Sequence, residues 1–221
     1  SSDFQFQGKS IQTWVYAKNR EAGFYDFDEP TKKVLEFYSN YVGPYAYEKL
    51  ANIQTPSVNG GMETSSAIFY GEDLVTGKRE ERTRNVVIHE IAHQWFGNAV
   101  TETTWDDAWL SEGFATFFTL LFIENEYGKD EYTKGILKAK KTVYDLSAKM
   151  PISEVKREIS SVSPSGLNKA TSHAAGTAYE ALAEEEDQSG TDIGEMTESF
   201  VSDNEDFEQQ PQAIHGLLEQ Q

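Results

Sequence analysis

The chain of 221 residues is long enough to enclose a substantial hydrophobic core, and 38% of its residues are hydrophobic. Its formal net charge of −18 argues against nucleic acid and anionic membrane surfaces as partners. The chain contains no cysteine, which excludes disulfides, and no apolar stretch long enough to span a bilayer. The first residues show neither the basic nor the apolar segment of a signal peptide, so we expect a soluble protein of unassigned compartment.

The first part of the chain predicts strands around one helix. Residues 11–17 are β-branched and aromatic, which is typical of a strand. Pro30 is expected to begin a helix over residues 31–41, and Gly43-Pro44 to end it. Two more strands are predicted, at residues 50–54 and 67–70.

Helices are predicted to dominate the chain after these strands. The first begins near Thr83, and the others cover residues 114–127 and 130–148. Strands followed by helices indicate an α+β fold, in which a mixed sheet precedes a helical lobe.

The most informative stretch is His89-Glu90-Ile91-Ala92-His93. Two histidines four residues apart share one face of a helix, so both imidazoles can reach one metal ion. Glu90 would lie close to the same ion, where a carboxylate can take a proton from an activated water. Glu112 follows His93 after eighteen residues, and a helical hairpin can bring it back to complete a His, His, Glu zinc site. The alternative is a pair of histidines that only pack on an ordinary helix.

The spacing of these residues, with its flanks, resembles the zinc signature of the gluzincin aminopeptidases, the family of aminopeptidase N and leukotriene hydrolase. The flanking residues are Gln94-Trp95-Phe96-Gly97-Asn98, Trp105 and Trp109-Leu110. The resemblance covers roughly residues 11–144 and implies a thermolysin-like zinc metallopeptidase domain with one zinc ion per chain. It also implies that residues 1–16 end a β-rich N-terminal domain and that residues 17–221 form the catalytic domain. The family's further domains are expected to be absent from this chain.

A second stretch, Gly60-Gly61-Met62-Glu63-Thr64, is by itself typical of a turn with a surface carboxylate. Beside the zinc signature it resembles the family's Gly-x-Met-Glu-Asn exopeptidase motif, an edge strand that pairs with the substrate backbone. The resemblance implies that Gly60, Gly61 and Met62 hold that backbone and that Glu63 binds the free α-ammonium group. Thr64 replaces the family's asparagine, and its hydroxyl cannot offer the two donors of an amide.

The last part of the chain departs from the family. Residues 170–221 contain 13 of the 37 acidic residues and no lysine or arginine. The resemblance implies a tyrosine in this region whose hydroxyl stabilises the oxyanion. Tyr179, which is followed by Glu180, is the predicted donor, and His173 is its competitor at the more usual spacing. For either residue, ordinary packing is the alternative.

Two acidic residues between the second histidine and Glu112 also have two interpretations. Asp106 and Asp107 either orient a zinc-binding histidine or are simply solvated at the surface.

The function implied by these residues is hydrolysis of the N-terminal residue of peptides with a free N-terminus. Zinc would be held by His89, His93 and Glu112, with Glu90 as the base and Tyr179 at the oxyanion. Two alternatives stay open. One is an endopeptidase or an epoxide hydrolase on the same site, and the other is a catalytically weak, zinc-containing protein that only binds peptides.

Overall fold

The computed structural model describes residues 1–104 and 107–147. The strands of this part of the chain are β1 (Ser2–Phe6), β2 (Lys9–Trp14), β3 (Lys49–Thr55), β4 (Gly61–Met62) and β5 (Ala67–Gly71). Its α-helices are α1 (Arg20–Tyr41), α2 (Glu81–Ala92), α3 (Ala108–Tyr127) and α4 (Lys129–Ser147). Single 3-10 turns precede α1 at Ala17–Asn19 and follow β5 at Glu72–Leu74. None of the helices described is long and apolar enough to cross a membrane.

The strands form one mixed sheet in the order β1-β2-β3-β5-β4. The inner pairs β2–β3 and β3–β5 are parallel, and the outer pairs β1–β2 and β4–β5 are antiparallel. Helix α1 carries the chain from β2 back to the start of β3, which is the crossover that a parallel pair requires. The sheet and the helices that follow it match the predicted α+β fold.

The chain divides into two compact units, the first from Ser1 to Ala99 and the second from Val100 onwards. In the first unit the sheet is accompanied by α1 and α2, which pack on each other. Its core is built from apolar side chains on all of these elements, and Phe27 of α1 stacks on Tyr70 of β5 with ring centroids 4.7 Å apart. The fully buried members include Ile11, Leu35, Leu50, Ile68, Ile88 and Ile91.

The second unit contains α3 and α4, which pack on each other as a helical hairpin through the turn at Gly128. Gly128 has a φ of 91°, a conformation that favours glycine. A side chain at Gly135 of α4 would overlap with Leu120 of α3, so the two helices approach closely at that point.

Most of the predicted elements are confirmed, with shifted ends. Strands β3 and β5 each lie within one residue of their predicted bounds, and α2 begins two residues before Thr83. Strand β2 ends at Trp14, short of the predicted residue 17. Helix α3 begins six residues early, so Glu112 lies inside the helix. Helix α4 begins at Lys129, one residue before the predicted residue 130, whereas residue 148 lies outside the described part.

The prediction that Pro30 begins a helix is wrong. Helix α1 begins at Arg20 and contains Pro30 in its interior, although such a proline costs about 3 kcal/mol. Burial offsets this cost, because Phe27 is fully buried and the carboxylate of Asp26 accepts backbone N–H groups from residues 76, 77 and 79.

Strand β1 was not predicted. It forms a hairpin with β2 through Gln7 and Gly8, which have φ values of 48° and 79°. Two successive positive φ values are characteristic of the tight turns that join antiparallel strands. Phe4 and Phe6 alternate with polar residues before this turn and were the available signal. That residues 1–16 end a preceding domain stays a prediction.

Candidate metal and peptide site

The two histidines of the predicted zinc site lie one turn apart at the end of α2. His89 and His93 are buried, and their Nε2 atoms are 3.0 Å apart. Their rings meet edge to face with centroids 4.5 Å apart. Two nitrogens bound to one tetrahedral zinc, each about 2.0–2.1 Å from it, would be separated by roughly 3.3 Å. The pair is therefore close to the geometry of two ligands of one ion.

The chain turn after α2 determines which ring nitrogen of His93 carries the proton of the neutral imidazole. The backbone N–H groups of Gln94 and Trp95 donate to Ile91 and Ala92, at 3.0 Å each, so the chain continues in a tight turn. This turn places the carbonyl oxygen of Phe96 3.0 Å from Nδ1 of His93. A carbonyl can only accept, so the imidazole proton belongs on Nδ1 and the lone pair of Nε2 is left for a metal.

Glu112 is the predicted third donor. Among the described residues, His89, His93 and Glu112 are the group that could hold a metal ion. All three side chains are buried. Two imidazoles and a carboxylate are a donor set used for catalytic zinc. The residues present therefore fit a zinc ion.

Glu90 lies between the two histidines in sequence, and its side chain is only 2% exposed. Its carboxyl group lies directly against the strand β4, since a Cβ atom added to Gly61 would overlap with Cδ and Oε1 of Glu90. Gly61 pairs with Tyr70 on β5. Burial, and secondarily the charge of Glu90, raise the pKa of Tyr70 well above 10. The two sequence motifs thus meet in the first unit of the chain.

The second motif forms the edge of the sheet within the part of the chain that the structure describes. Strand β4 pairs only with β5, through Gly61 and Met62. Gly60 has a φ of 78°, and its carbonyl accepts the N–H of Gly71 at 2.8 Å. Met62 is 43% exposed and Glu63 is half-buried. An exposed edge of this kind is the element to which an extended peptide can add.

Several predicted residues lie outside the described residues, namely Trp105, Asp106, His173 and Tyr179, together with all of residues 170–221. Asp107 is described, and its Oδ2 accepts a hydrogen bond of 3.0 Å from the hydroxyl of Thr104 at the surface.

Two polar residues that flank the zinc signature make contacts that the sequence does not predict. Gln94 and Asn98 both donate side-chain N–H groups to the backbone carbonyl of Glu63, at 3.1 and 2.5 Å. Their adjacency to His93 was the only available signal, because no sequence pattern shows which carbonyl a distant amide will reach. Asp26, which anchors residues 76–79, was likewise not predicted.

Comparison with known proteins identifies the family. Residues 25–209 match the peptidase family M1 domain, which is more than half of the chain. The chain belongs to peptidase family M1. This M1 chain is 35% identical to mouse glutamyl aminopeptidase over 127 residues, which cover 53% of the chain and 13% of the relative. It is 43% identical to the probable aminopeptidase 1 of Saccharolobus solfataricus over 102 residues, 42% of the chain and 13% of the relative.

A solved structure supports the same fold. Yeast LTA4 hydrolase in complex with bestatin matches 86% of the M1 chain and 31% of its own chain, with a TM-score of 0.66 and 18% identity. At that identity the likeness shows the fold alone. The M1 chain spans 13% of the length of the two curated relatives described above. The predicted family and the α+β fold are confirmed, and family membership implies zinc.

Proposed function

We propose that this M1 chain carries the site of a zinc-dependent aminopeptidase, which removes the N-terminal residue from peptides. The observation that carries the proposal is the meeting of the two motifs, in which the carboxyl group of Glu90 lies against Gly61 of the edge strand. This contact supports the proposal, because Glu90 could act as a proton acceptor beside a strand edge to which a peptide can bind. The aminopeptidase names of the curated relatives support the same class.

Zinc would be held by His89, His93 and Glu112, whose side chains are all buried. When bound there, the ion would supply Lewis acidity, which polarises a scissile carbonyl and makes water a stronger acid. The Nδ1–H bond from His93 to Phe96 holds that imidazole in the tautomer and orientation a metal ligand needs.

Glu90 acts as the general base in this proposal. It accepts the proton of the attacking water and passes it to the amine that leaves when the peptide bond breaks. Its burial keeps the carboxylate away from bulk solvent, and its packing against Gly61 limits its movement. A positioned base of this kind contributes about 10²–10⁴-fold to the rate.

The edge strand and Glu63 would define which peptide bond is cut. Residues 60–62 would pair with the extended backbone of the substrate, and the Glu63 carboxylate would bind its free α-ammonium group. The first peptide bond is then the one that reaches Glu90. Tyr179, as the oxyanion donor, stays a prediction outside the described residues.

The proposal is tested with the full chain after zinc has been restored. Fluorogenic aminoacyl substrates should be hydrolysed, whereas their N-acetylated forms should be poor substrates, because acetylation removes the charge that Glu63 binds. Glu90→Gln is the control, since it should keep one zinc per chain and lose about 10²–10⁴-fold in turnover. Equal rates on free and acetylated peptides would instead indicate an endopeptidase, and bound zinc without turnover a peptide-binding protein.

A further inference from the structure

Two side-chain amides hold the backbone on either side of Thr64 and Ser65. Nε2 of Gln94 and Nδ2 of Asn98 both donate to the carbonyl oxygen of Glu63, at 3.1 and 2.5 Å. The Oε1 atom of Gln94 accepts the backbone N–H of Ser66 at 2.9 Å. The side-chain amide of Gln94 therefore bonds the backbone at both ends of residues 63–66: its NH₂ group bonds Glu63 and its oxygen bonds Ser66.

The position of Gln94 in the chain connects this segment to the metal site. Gln94 directly follows His93 and is 1% exposed, and Asn98 lies in the same turn, half-buried. The N–H of Ala99 donates to the backbone oxygen of Gln94 at 3.3 Å, which keeps the turn closed. The segment that carries Glu63 is thus bonded to the end of the helix that carries the histidines.

The backbone conformation of residues 63–66 also requires contacts from outside the segment. Ser66 has a φ of 62°, a left-handed conformation that costs a residue other than glycine about 1–2 kcal/mol. Its N–H is bound by Gln94, and its carbonyl accepts the N–H of Ala51 of β3 at 3.0 Å. Strain of this kind persists only where the surroundings impose it.

We propose that Gln94, together with Asn98, is a positioning residue that sets the distance between the two histidines and the carboxylate of Glu63. The inference rests on the proposed role of Glu63 in binding the α-ammonium group. A charge-assisted contact depends on placement, and a displacement of about 1 Å can cost about 10²-fold in rate. Gln94 would therefore help to restrict the site to peptides with a free amine at the N-terminus.

The test replaces the side-chain amide donor of Gln94 or Asn98 by a carboxylate of the same size and shape. Gln94→Glu retains an oxygen that can accept the N–H of Ser66, but it presents a second acceptor to the Glu63 carbonyl instead of a donor. Asn98→Asp likewise presents an acceptor instead of a donor to the Glu63 carbonyl, at a less buried position. Gln54→Glu is the matched control, because Gln54 is also buried and its Oε1 accepts a backbone N–H, that of Tyr16, at 3.1 Å.

Two measurements give the preference of the chain for a free over an acetylated N-terminus. Calorimetry gives the affinity of the metal-free chain for a dipeptide amide and for its N-acetyl form, and kinetics give kcat/KM of the zinc-loaded chain for the same pair. Both preferences for the free amine should fall roughly tenfold in Gln94→Glu and Asn98→Asp and stay unchanged in Gln54→Glu. A ratio between two ligands does not depend on the fraction of folded protein, so destabilisation of a variant cannot produce this result.

A double-mutant cycle with Glu63→Gln separates the inference from the proposed function. If Gln94 acts through Glu63, then Gln94→Glu should add nothing to the preference already lost in Glu63→Gln. Independent, additive losses would overturn the inference. An unchanged preference in Gln94→Glu and Asn98→Asp, when Glu63→Gln has lost it, would overturn the inference alone. An unchanged preference in Glu63→Gln would remove the proposed role of Glu63 and the inference with it.

Discussion

Gly61 lies so close to the side chain of Glu90 that a single methyl group on Gly61 would overlap with the Glu90 carboxyl group. Gly61 is not among the glycines with a positive φ, so the position requires space rather than an unusual backbone conformation. The edge strand and the predicted base are therefore in direct contact, and neither can shift without affecting the other.

Gly61→Ala should disturb the base without removing the metal ligands. The added methyl group must displace either Glu90 or β4, and a displacement near 1 Å costs about 10²-fold in rate. We expect kcat to fall by about this factor while elemental analysis still finds one zinc per chain.

Gly60→Ala is the matched control, because a Cβ atom there meets nothing within 4 Å but the φ of 78° is strained for alanine. Gly60→Ala should lose about 1–2 kcal/mol of stability. Its loss of activity per folded molecule should be smaller than that of Gly61→Ala. An undiminished kcat in Gly61→Ala would show that the contact with Glu90 is without consequence for the reaction.

Zinc should stabilise the folded chain through its histidines. A ligand that binds only the folded state raises the free energy of unfolding by about 4 kcal/mol at a thousand times its Kd. Added zinc should therefore raise the Tm of the wild type and of Glu90→Gln, measured by calorimetry, and leave that of His89→Ala and His93→Ala almost unchanged. The same rise in His93→Ala would place the metal elsewhere.

Asp26 should be a major contributor to the stability of the first unit. Its carboxylate is 1% exposed and accepts the N–H groups of Thr76, Gly77 and Arg79 at 2.6, 2.7 and 2.9 Å. Asp26→Asn replaces one acceptor oxygen with a donor that faces these N–H groups. We expect a loss of about 2–3 kcal/mol in the free energy of unfolding, measured by urea denaturation.

The corresponding control for Asp26 is Asp73→Asn. Asp73 pairs with Arg82 at 2.6 Å, but both side chains are more than half exposed. Exposed ion pairs contribute about 0–1 kcal/mol, so this variant should unfold at almost the same urea concentration as the wild type. A loss as large as that of Asp26→Asn would mean that the backbone hydrogen bonds do not explain the difference.

Stability should decrease in alkali because of Tyr70. Burial, and then the charge of Glu90, raise its pKa well above 10 in the folded chain, whereas the unfolded chain ionises near pH 10. Above that pH the unfolded state loses a proton that the folded state keeps, so the stability present below pH 10 is lost as the pH rises. The loss approaches about 1.4 kcal/mol per pH unit for each such tyrosine.

Tyr70→Phe should reduce this alkaline loss. In the described part of the chain the Tyr70 hydroxyl is buried without a hydrogen-bond partner, so its removal should cost little at pH 7. Burial also raises the pKa of Tyr45, and a smaller alkaline loss should therefore persist in the variant. Urea denaturation at pH 7 and at pH 10.5 measures both effects, and equal alkaline losses in wild type and variant would contradict the assignment.

The elements that the sequence predicts well are those with a local signal. The strands at residues 50–54 and 67–70 are short apolar runs between turns, and their ends lie within one residue of β3 and β5. The His89 and His93 pair depends only on helical spacing, and the structure has the two residues on adjacent turns of α2. The proposed role of Glu63 comes from the family resemblance, because no local pattern indicates it.

The features that the sequence does not predict depend on contacts between distant residues. Pro30 is a strong local signal for the start of a helix, but the burial of Phe27 and Asp26 extends α1 by ten residues before it. The amide of Gln94 reaches a carbonyl 31 residues earlier in the chain. Hydrogen bonds between residues this far apart in sequence depend on the fold. They can be recognised only when the positions of the sheet and of α2 are known.

All five described strands lie within residues 2–71, before the first histidine of the metal site. During synthesis the earlier part of a chain is the first to become available for folding, and no strand of this sheet depends on a later residue for its partner. The strands are therefore synthesised before the residues that would hold the metal, and their pairing should not require it. In a chain made without zinc, hydrogen exchange should still find the backbone amides of β2, β3 and β5 protected.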